Sequence, residues 1–285
     1  MAFNVATFKT RAFTAVIFVV VMLAGLLTSS WTLLALFTIV HFGCWFEFHK
    51  LMGGIDSRYR EVSSNAQMSG SLAGLGFLLF HTQLMSIGTL PLKRFGFWIM
   101  VLGLLYWLVA VLIEPAYKKG LLKYTILGWL YVSLSWGCFI SVAQWSFDGY
   151  PLIVLTLIVS IWLNDTLAYI VGSFIGKTPF SKISPKKTWE GTIGGALLAV
   201  ALVTCIGYFF INKGFLQMYV VVSVIAAVFG TLGDLLESKI KRMANVKDSG
   251  TVMPGHGGFL DRFDSLMVSG VVVWLYIWIG SYWGK

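Results

Sequence analysis

From Phe95 to Ile113 the chain carries no charged residue, and stretches of the same kind recur along its length. An apolar run of roughly 17 to 25 residues is what a helix needs to cross the hydrocarbon core of a bilayer. Such runs fall near 12–29, 31–48, 70–90, 95–113, 124–146, 151–175, 191–211, 218–235 and 265–283. The sequence therefore predicts an all-α polytopic integral membrane protein with about nine transmembrane helices, forming a single membrane domain over 1–285. Composition agrees, with 58% hydrophobic residues, only 12% charged ones and a mean hydropathy of +0.82, far from a soluble domain.

The formal net charge of +9 would raise nucleic acid as a partner in a soluble protein, but here position explains it. With nine spans, the N-terminus and the segments near 49–69, 114–123, 176–190 and 236–264 lie on one side. They hold all of the 21 Lys and Arg residues except Lys93, Arg94, Lys213 and Lys285. Basic loops stay in the cytoplasm, so the N-terminus is expected there, the bilayer is the partner, and no nucleic acid is expected. Lys9 and Arg11 precede the first span without a convincing small-residue cleavage site after it, which reads as an uncleaved helix. Spans one and two are joined tightly at Thr28-Ser29-Ser30, as in a helical hairpin. Cys44, Cys138 and Cys205 are scattered singly and read as packed thiols.

Acidic residues are scarce, 12 in 285, yet Asp234, Glu237, Asp248, Asp261 and Asp264 crowd into one short stretch. Asp234 and Glu237 are three apart, as are Asp261 and Asp264, so on helical ends each pair projects from one face. Converging carboxylates repel unless a cation or proton is shared, and Mg²⁺ is usually held by one or two carboxylates plus substrate phosphates. Between the pairs lie Lys239, Lys241, Arg242, Lys247 and a Pro-Gly-His-Gly-Gly turn whose backbone can approach a ligand. Acid for metal, base for phosphate and glycine for access point to phosphoryl or nucleotidyl transfer.

Other polar positions carry competing readings. Asp165 sits inside a span, where a carboxylate is costly, so function outweighs a helix–helix hydrogen bond with Asn164 and Thr166. The loop Lys182 to Thr188, taken alone, is a basic cytoplasmic loop; ahead of Glu190 it also puts hydroxyls and ammoniums at a helix start, which favours phosphate. His256 in a Gly-rich turn reads as positioning. Glu47, at the end of the second span, reads as a snorkelling cap more than as a site residue.

The run Ser238 to Asp264, Ser-x-x-Lys-Arg-x-x-x-x-Lys-Asp-x-Gly-x-x-x-Pro-Gly-His-Gly-Gly-x-x-Asp-Arg-x-Asp, resembles the signature of the phosphatidate cytidylyltransferases (CDP-diacylglycerol synthases). The resemblance extends to Gly233–Ser238, Ser184–Gly191 and Asn164–Tyr169, so it covers roughly 160–265 and says little about the first 150 residues. It implies that 151–285 form the catalytic helices and cytoplasmic loops while 1–150 are lipid-facing support. The implied reaction transfers CMP from CTP to phosphatidate, giving CDP-diacylglycerol and pyrophosphate.

On this resemblance Asp234, Asp261 and Asp264 are metal ligands, with Asp165 a fourth or a supporting partner. Mg²⁺ is the implied metal, with room for a second cation. Lys247 joins them as a catalytic residue; Asp248 is open to a metal, to cytidine or to Lys247. Ser184, Lys186, Lys187, Thr188, Ser238, Lys239, Arg242 and Arg262, with the turn residues Gly255, His256, Gly257 and Gly258, are implied to bind substrate phosphates. Homodimerisation and a bacterial cytoplasmic-membrane location, with the site facing the cytoplasm, are family-level expectations. Two alternatives remain: a related CTP-dependent transferase or kinase acting on another lipid phosphate or polyprenol, and a cation transporter using Asp165 and the clustered carboxylates.

Overall fold

The computed structural model describes residues 5–83, 85–113, 118–145, 151–252 and 257–283. They form helices α1 (Val5–Leu27), α2 (Ser30–Ile55), α3 (Ser57–Arg60), α4 (Ser64–Phe80), α5 (Leu92–Ile113), α6 (Lys118–Gly128) and α7 (Leu134–Ala143). There follow α8 (Leu152–Ile175), α9 (Trp189–Ile206), α10 (Leu216–Met243) and α11 (Leu260–Trp283). The only sheet among the described residues is a two-stranded antiparallel ribbon, β1 (Ser86–Ile87) with β2 (Leu90–Pro91). The architecture is that of an all-α polytopic membrane protein, because every backbone group in a span must be satisfied within it.

Among the described residues, seven helices are long and apolar enough to cross a membrane: Ser30–Ile55, Leu92–Ile113, Gly120–Ala143, Leu152–Ile175, Trp189–Ile211, Lys213–Met243 and Leu260–Ser281. The first expected span lies within α1, a 23-residue helix that is apolar from Phe13 to Leu27. One of the nine expected spans takes a different form. In α4, Ser and Gly occupy much of a 17-residue helix, and the chain turns at His81 rather than continuing to 90. Thr28-Ser29-Ser30 is a genuine break: Ser29 caps α2 through a reciprocal capping box with Thr32. Cys44 and Cys138 are packed as buried thiols, as expected, whereas Cys205 is exposed.

The chain divides into two compact units, one of residues 1–144 with 240–263, the other of 145–239 with 264–285. In the first, α4 and α5 approach so closely that a Cβ on Gly76 would stand 2.1 Å from the Met100 backbone nitrogen. Small residues let membrane helices meet in this way when water supplies no driving force. An aromatic core joins Phe37, Trp136, Phe139 and Phe263, with Phe37–Phe139 ring centroids 4.4 Å apart and Trp136–Phe263 5.3 Å apart. Phe263 thereby ties the end of the 240–263 segment to the core of its unit. In the second unit α8 packs along α9, where a Cβ on Gly195 would meet the Ala168 nitrogen at 2.4 Å.

Candidate active site

In the first unit the 240–263 segment is organised by two carboxylates. Glu47, only 2% exposed, reaches from α2 to accept hydrogen bonds from the Phe259 N–H (2.8 Å) and the Leu260 N–H (2.9 Å). These are donors of the first turn of α11, which an acceptor must satisfy. Asp261 accepts from the Ser249 and Gly258 N–H groups, each at 2.8 Å, and its other oxygen receives the buried Lys241 ammonium at 2.5 Å. The Ser249 hydroxyl lies 2.7 Å from Glu47 Oε2 and 2.9 Å from Asp261 Oδ2, and its one proton serves either carboxylate. Glycine is required around Glu47: a Cβ on Gly250 or Gly258 would stand 2.2 or 2.1 Å from Oε1. Gly257 takes φ +82°, a conformation that L side chains rarely adopt.

In the second unit the carboxylates gather differently. Asp264, half-buried on α11, lies where the charges of Asp234, Glu237 and Asp165 all act on it. Its Oδ1 accepts the Ser265 N–H at 2.5 Å. Helices α10 and α11 meet here, since a Cβ on Gly233 would stand 2.4 Å from the Asp264 carbonyl oxygen. Lys187 makes an ion pair with Asp234. It is delivered by a loop folded back on itself, with the Phe180 N–H donating to the Lys187 carbonyl (2.8 Å) and the Trp189 N–H to the Thr178 carbonyl (3.0 Å). Thr188 caps α9 by accepting the Gly191 N–H, and Glu190 accepts the Lys177 and Thr178 N–H groups, closing the loop onto the helix. Asp165, Asp234, Glu237 and Asp264 thus influence one another electrostatically in this unit, and Lys187 pairs with one of them, Asp234.

The expected site residues thus fall into two groups. Arg242, Lys247, Asp248, Gly257, Gly258, Asp261 and Arg262 belong to the first unit, with Lys247, Asp248 and Arg262 exposed. Asp165, Ser184, Lys186, Lys187, Thr188, Asp234, Ser238, Lys239 and Asp264 belong to the second. Gly255 and His256 lie outside the described residues. Thr188 is engaged as a helix cap, Arg242 donates to the Val246 carbonyl, and Asp261 is occupied by the loop it organises. Among the described residues no three Asp, Glu, His or Cys side chains form a metal cage by themselves.

Residues 9–280 match the profile of the Cytidylyltransferase family. The chain belongs to that family. Relatives within reach include a Phosphatidate cytidylyltransferase of Staphylococcus haemolyticus, 47% identical over 122 residues, which are 42% of this chain and 46% of that protein. Proteins of the same name from Helicobacter pylori and Bacillus subtilis are 35% identical over 168 residues and 37% over 159. Those matches cover 59% and 55% of this chain, and 62% and 58% of the two relatives. Each spans about half of the relative's own length, or somewhat more.

Membership in the cytidylyltransferase family sits well with an acid-and-lysine centre, but one reading of the sequence needs correcting. Glu47 is no snorkelling cap: its carboxylate is buried and holds the start of α11 and Ser249. The cost of burying a carboxylate in a span, applied to Asp165, applies equally to Glu47 and was the available signal. Ser249 stood within the signature stretch without a role and Lys241 only among its basic residues; their contacts with Asp261 give both a structural one.

Proposed function

We propose that this chain is a CTP:phosphatidate cytidylyltransferase of the bacterial cytoplasmic membrane, with its polar centre facing the cytoplasm. The observation that carries the reading is the second unit's centre, where Lys187 pairs with Asp234 amid the charges of Asp165, Glu237 and Asp264. The name borne by the relatives from three bacteria supports the choice of substrates.

In the reaction, an oxygen of the phosphatidate phosphate bonds to the α-phosphorus of CTP, the bond from that phosphorus to the β-phosphate bridging oxygen breaks, and pyrophosphate leaves. No general base is needed, because the attacking monoester has a second pKa of about 6 and is largely dianionic at neutral pH. What the chain must supply is charge neutralisation and alignment of two anions. Carboxylates are oxygen donors, which fit Mg²⁺, a cation commonly held by only one or two protein carboxylates while substrate phosphates fill the rest of its coordination sphere. Bound there, Mg²⁺ would neutralise charge on the phosphates; Asp234 and Asp264 would hold it, with Asp165 beside them. Lys187 is positioned to leave Asp234 for a phosphate, and Lys186 and Lys239 stand exposed in the same unit.

The test is product identity. Purified protein receives labelled CTP, Mg²⁺ and, in separate reactions, phosphatidate, a polyprenol and a polyprenyl phosphate. Labelled CDP-diacylglycerol from phosphatidate alone is expected. Label transferred only to an isoprenoid would replace this reading with the related lipid transferase or kinase, and ion flux without CTP consumption would replace it with a transporter.

A further inference from the structure

We infer that a cavity inside the first unit, beside α2, seats the acceptor lipid, with the lipid phosphate held by Lys50 and Arg60. The inference rests on the lipid-transfer reading above and assigns its acceptor a place. The cavity encloses about 930 Å³, ample for a lipid head and the upper part of its chains. One wall is a single face of α2, on which Phe42, Trp45, Phe46, His49 and Lys50 follow one another at helical spacing.

That face is graded. Phe42 and Phe46 lie toward the middle of a membrane-length helix, and Lys50 lies eight residues on from Phe42, about 12 Å along the axis at 1.5 Å per residue. Phe46 is 72% exposed and Met68, across from it on α4, is 53% exposed, so apolar side chains stand open at the cavity's edge. Arg60 adds a second cation, and its guanidinium is steadied by donating one N–H to the Gly53 carbonyl at 3.1 Å. An apolar floor leading to two cations recognises an amphiphile with an anionic head. Among the described lining residues Asp248 is the one carboxylate set against those two cations, so the balance favours an anion.

The remaining wall comes from the signature itself, through Asp248 and Ser249. Ser249 is the residue shared by Glu47 and Asp261, so the cavity is built against the loop whose sequence marks the family. A store for any bilayer lipid would have no reason to be walled by that loop; a seat for the reacting lipid would.

The experiment uses the full chain in detergent and two readouts. The first is the shift in thermal unfolding midpoint on adding dioctanoyl phosphatidate without CTP or Mg²⁺, compared with dioctanoyl phosphatidylglycerol and phosphatidylcholine. The second is KM for phosphatidate and for CTP. Phosphatidate alone should raise the midpoint, and Lys50→Met, at an exposed position, should abolish most of the shift. The same variant should raise KM for phosphatidate roughly tenfold, as loss of one charge-assisted contact does, and leave KM for CTP unchanged. Arg60→Lys, which keeps the charge, should lose less than Arg60→Met. An undiminished shift in Lys50→Met, an equal shift with phosphatidylglycerol, or a raised KM for CTP instead would each overturn the assignment. A phosphatidate-specific, Lys50-dependent shift in protein that releases no product from CTP would uphold the cavity and reject the proposed reaction, keeping the two failures apart.

Discussion

Glu47 and Ser249 are separated by 202 residues, yet one hydroxyl and two backbone N–H groups converge on that single carboxylate. Removing its charge while keeping its shape is the informative change. In Glu47→Gln one oxygen is replaced by a donor facing N–H donors, and a buried donor left unsatisfied costs about 1–3 kcal/mol. The unfolding midpoint is expected to fall and turnover to drop tenfold or more, with insertion into the membrane retained. Wild-type stability and turnover in Glu47→Gln would show that the loop is held by other means. Asp261 belongs to the same scale: with the Lys241 ammonium and the Ser249 and Gly258 N–H groups on it, Asp261→Asn should lose activity by releasing the loop, and limited proteolysis within 249–258 should quicken alongside. An inactive Asp261→Asn with unchanged cleavage would instead favour the direct metal role the resemblance implies. The sequence made Asp261 visible because acids are scarce in the chain and crowd there, Asp261 and Asp264 being three apart. It hid Glu47's role because a contact across most of the chain leaves no local pattern.

Helices α10 and α11 bring Asp234 and Asp264 into one electrostatic environment because residue 233 has no side chain. Gly233→Ala puts a methyl 2.4 Å from the Asp264 carbonyl oxygen, closer than real Cβ contacts permit, so the helices must part. Turnover is expected to fall at least tenfold with little change in KM for CTP if the displaced carboxylates act on the reacting phosphates. Unchanged turnover would show that the approach of the two helices does not set the centre. Helix existence was readable from apolar runs alone, and the bounds of α8, α9 and α11 lie close to those expected. The span expected near 70–90 is helical from Ser64 and only to Phe80, because the chain is capped at His81 although apolar residues continue beyond it. The loop carrying Lys187 to Asp234 was readable as a basic, hydroxyl-bearing helix start; its folded-back geometry, held by Thr188 and Glu190, was not.

Across the whole molecule, the signature that reads as one continuous motif is divided: 240–263 belongs with the N-terminal helices and 264 onward with α8 to α10. A motif marks which residues matter, and packing decides which of them act together. Orientation also belongs to this scale. With exposed Cys205 replaced by Ser and the other two cysteines buried, Lys213→Cys should react with a membrane-impermeant maleimide in intact cells. Lys182→Cys should react only after permeabilisation, as the distribution of basic residues requires. The reverse pattern would turn the proposed centre away from the cytoplasm and its nucleotide.

The most direct measurement is pyrophosphate release by the purified protein given CTP, phosphatidate and Mg²⁺, with each component omitted in turn, alongside Asp264→Asn. Release that requires all three and vanishes in the folded variant is the expected result. Release without phosphatidate, or wild-type release by Asp264→Asn, would contradict a carboxylate-centred transfer of CMP to the lipid.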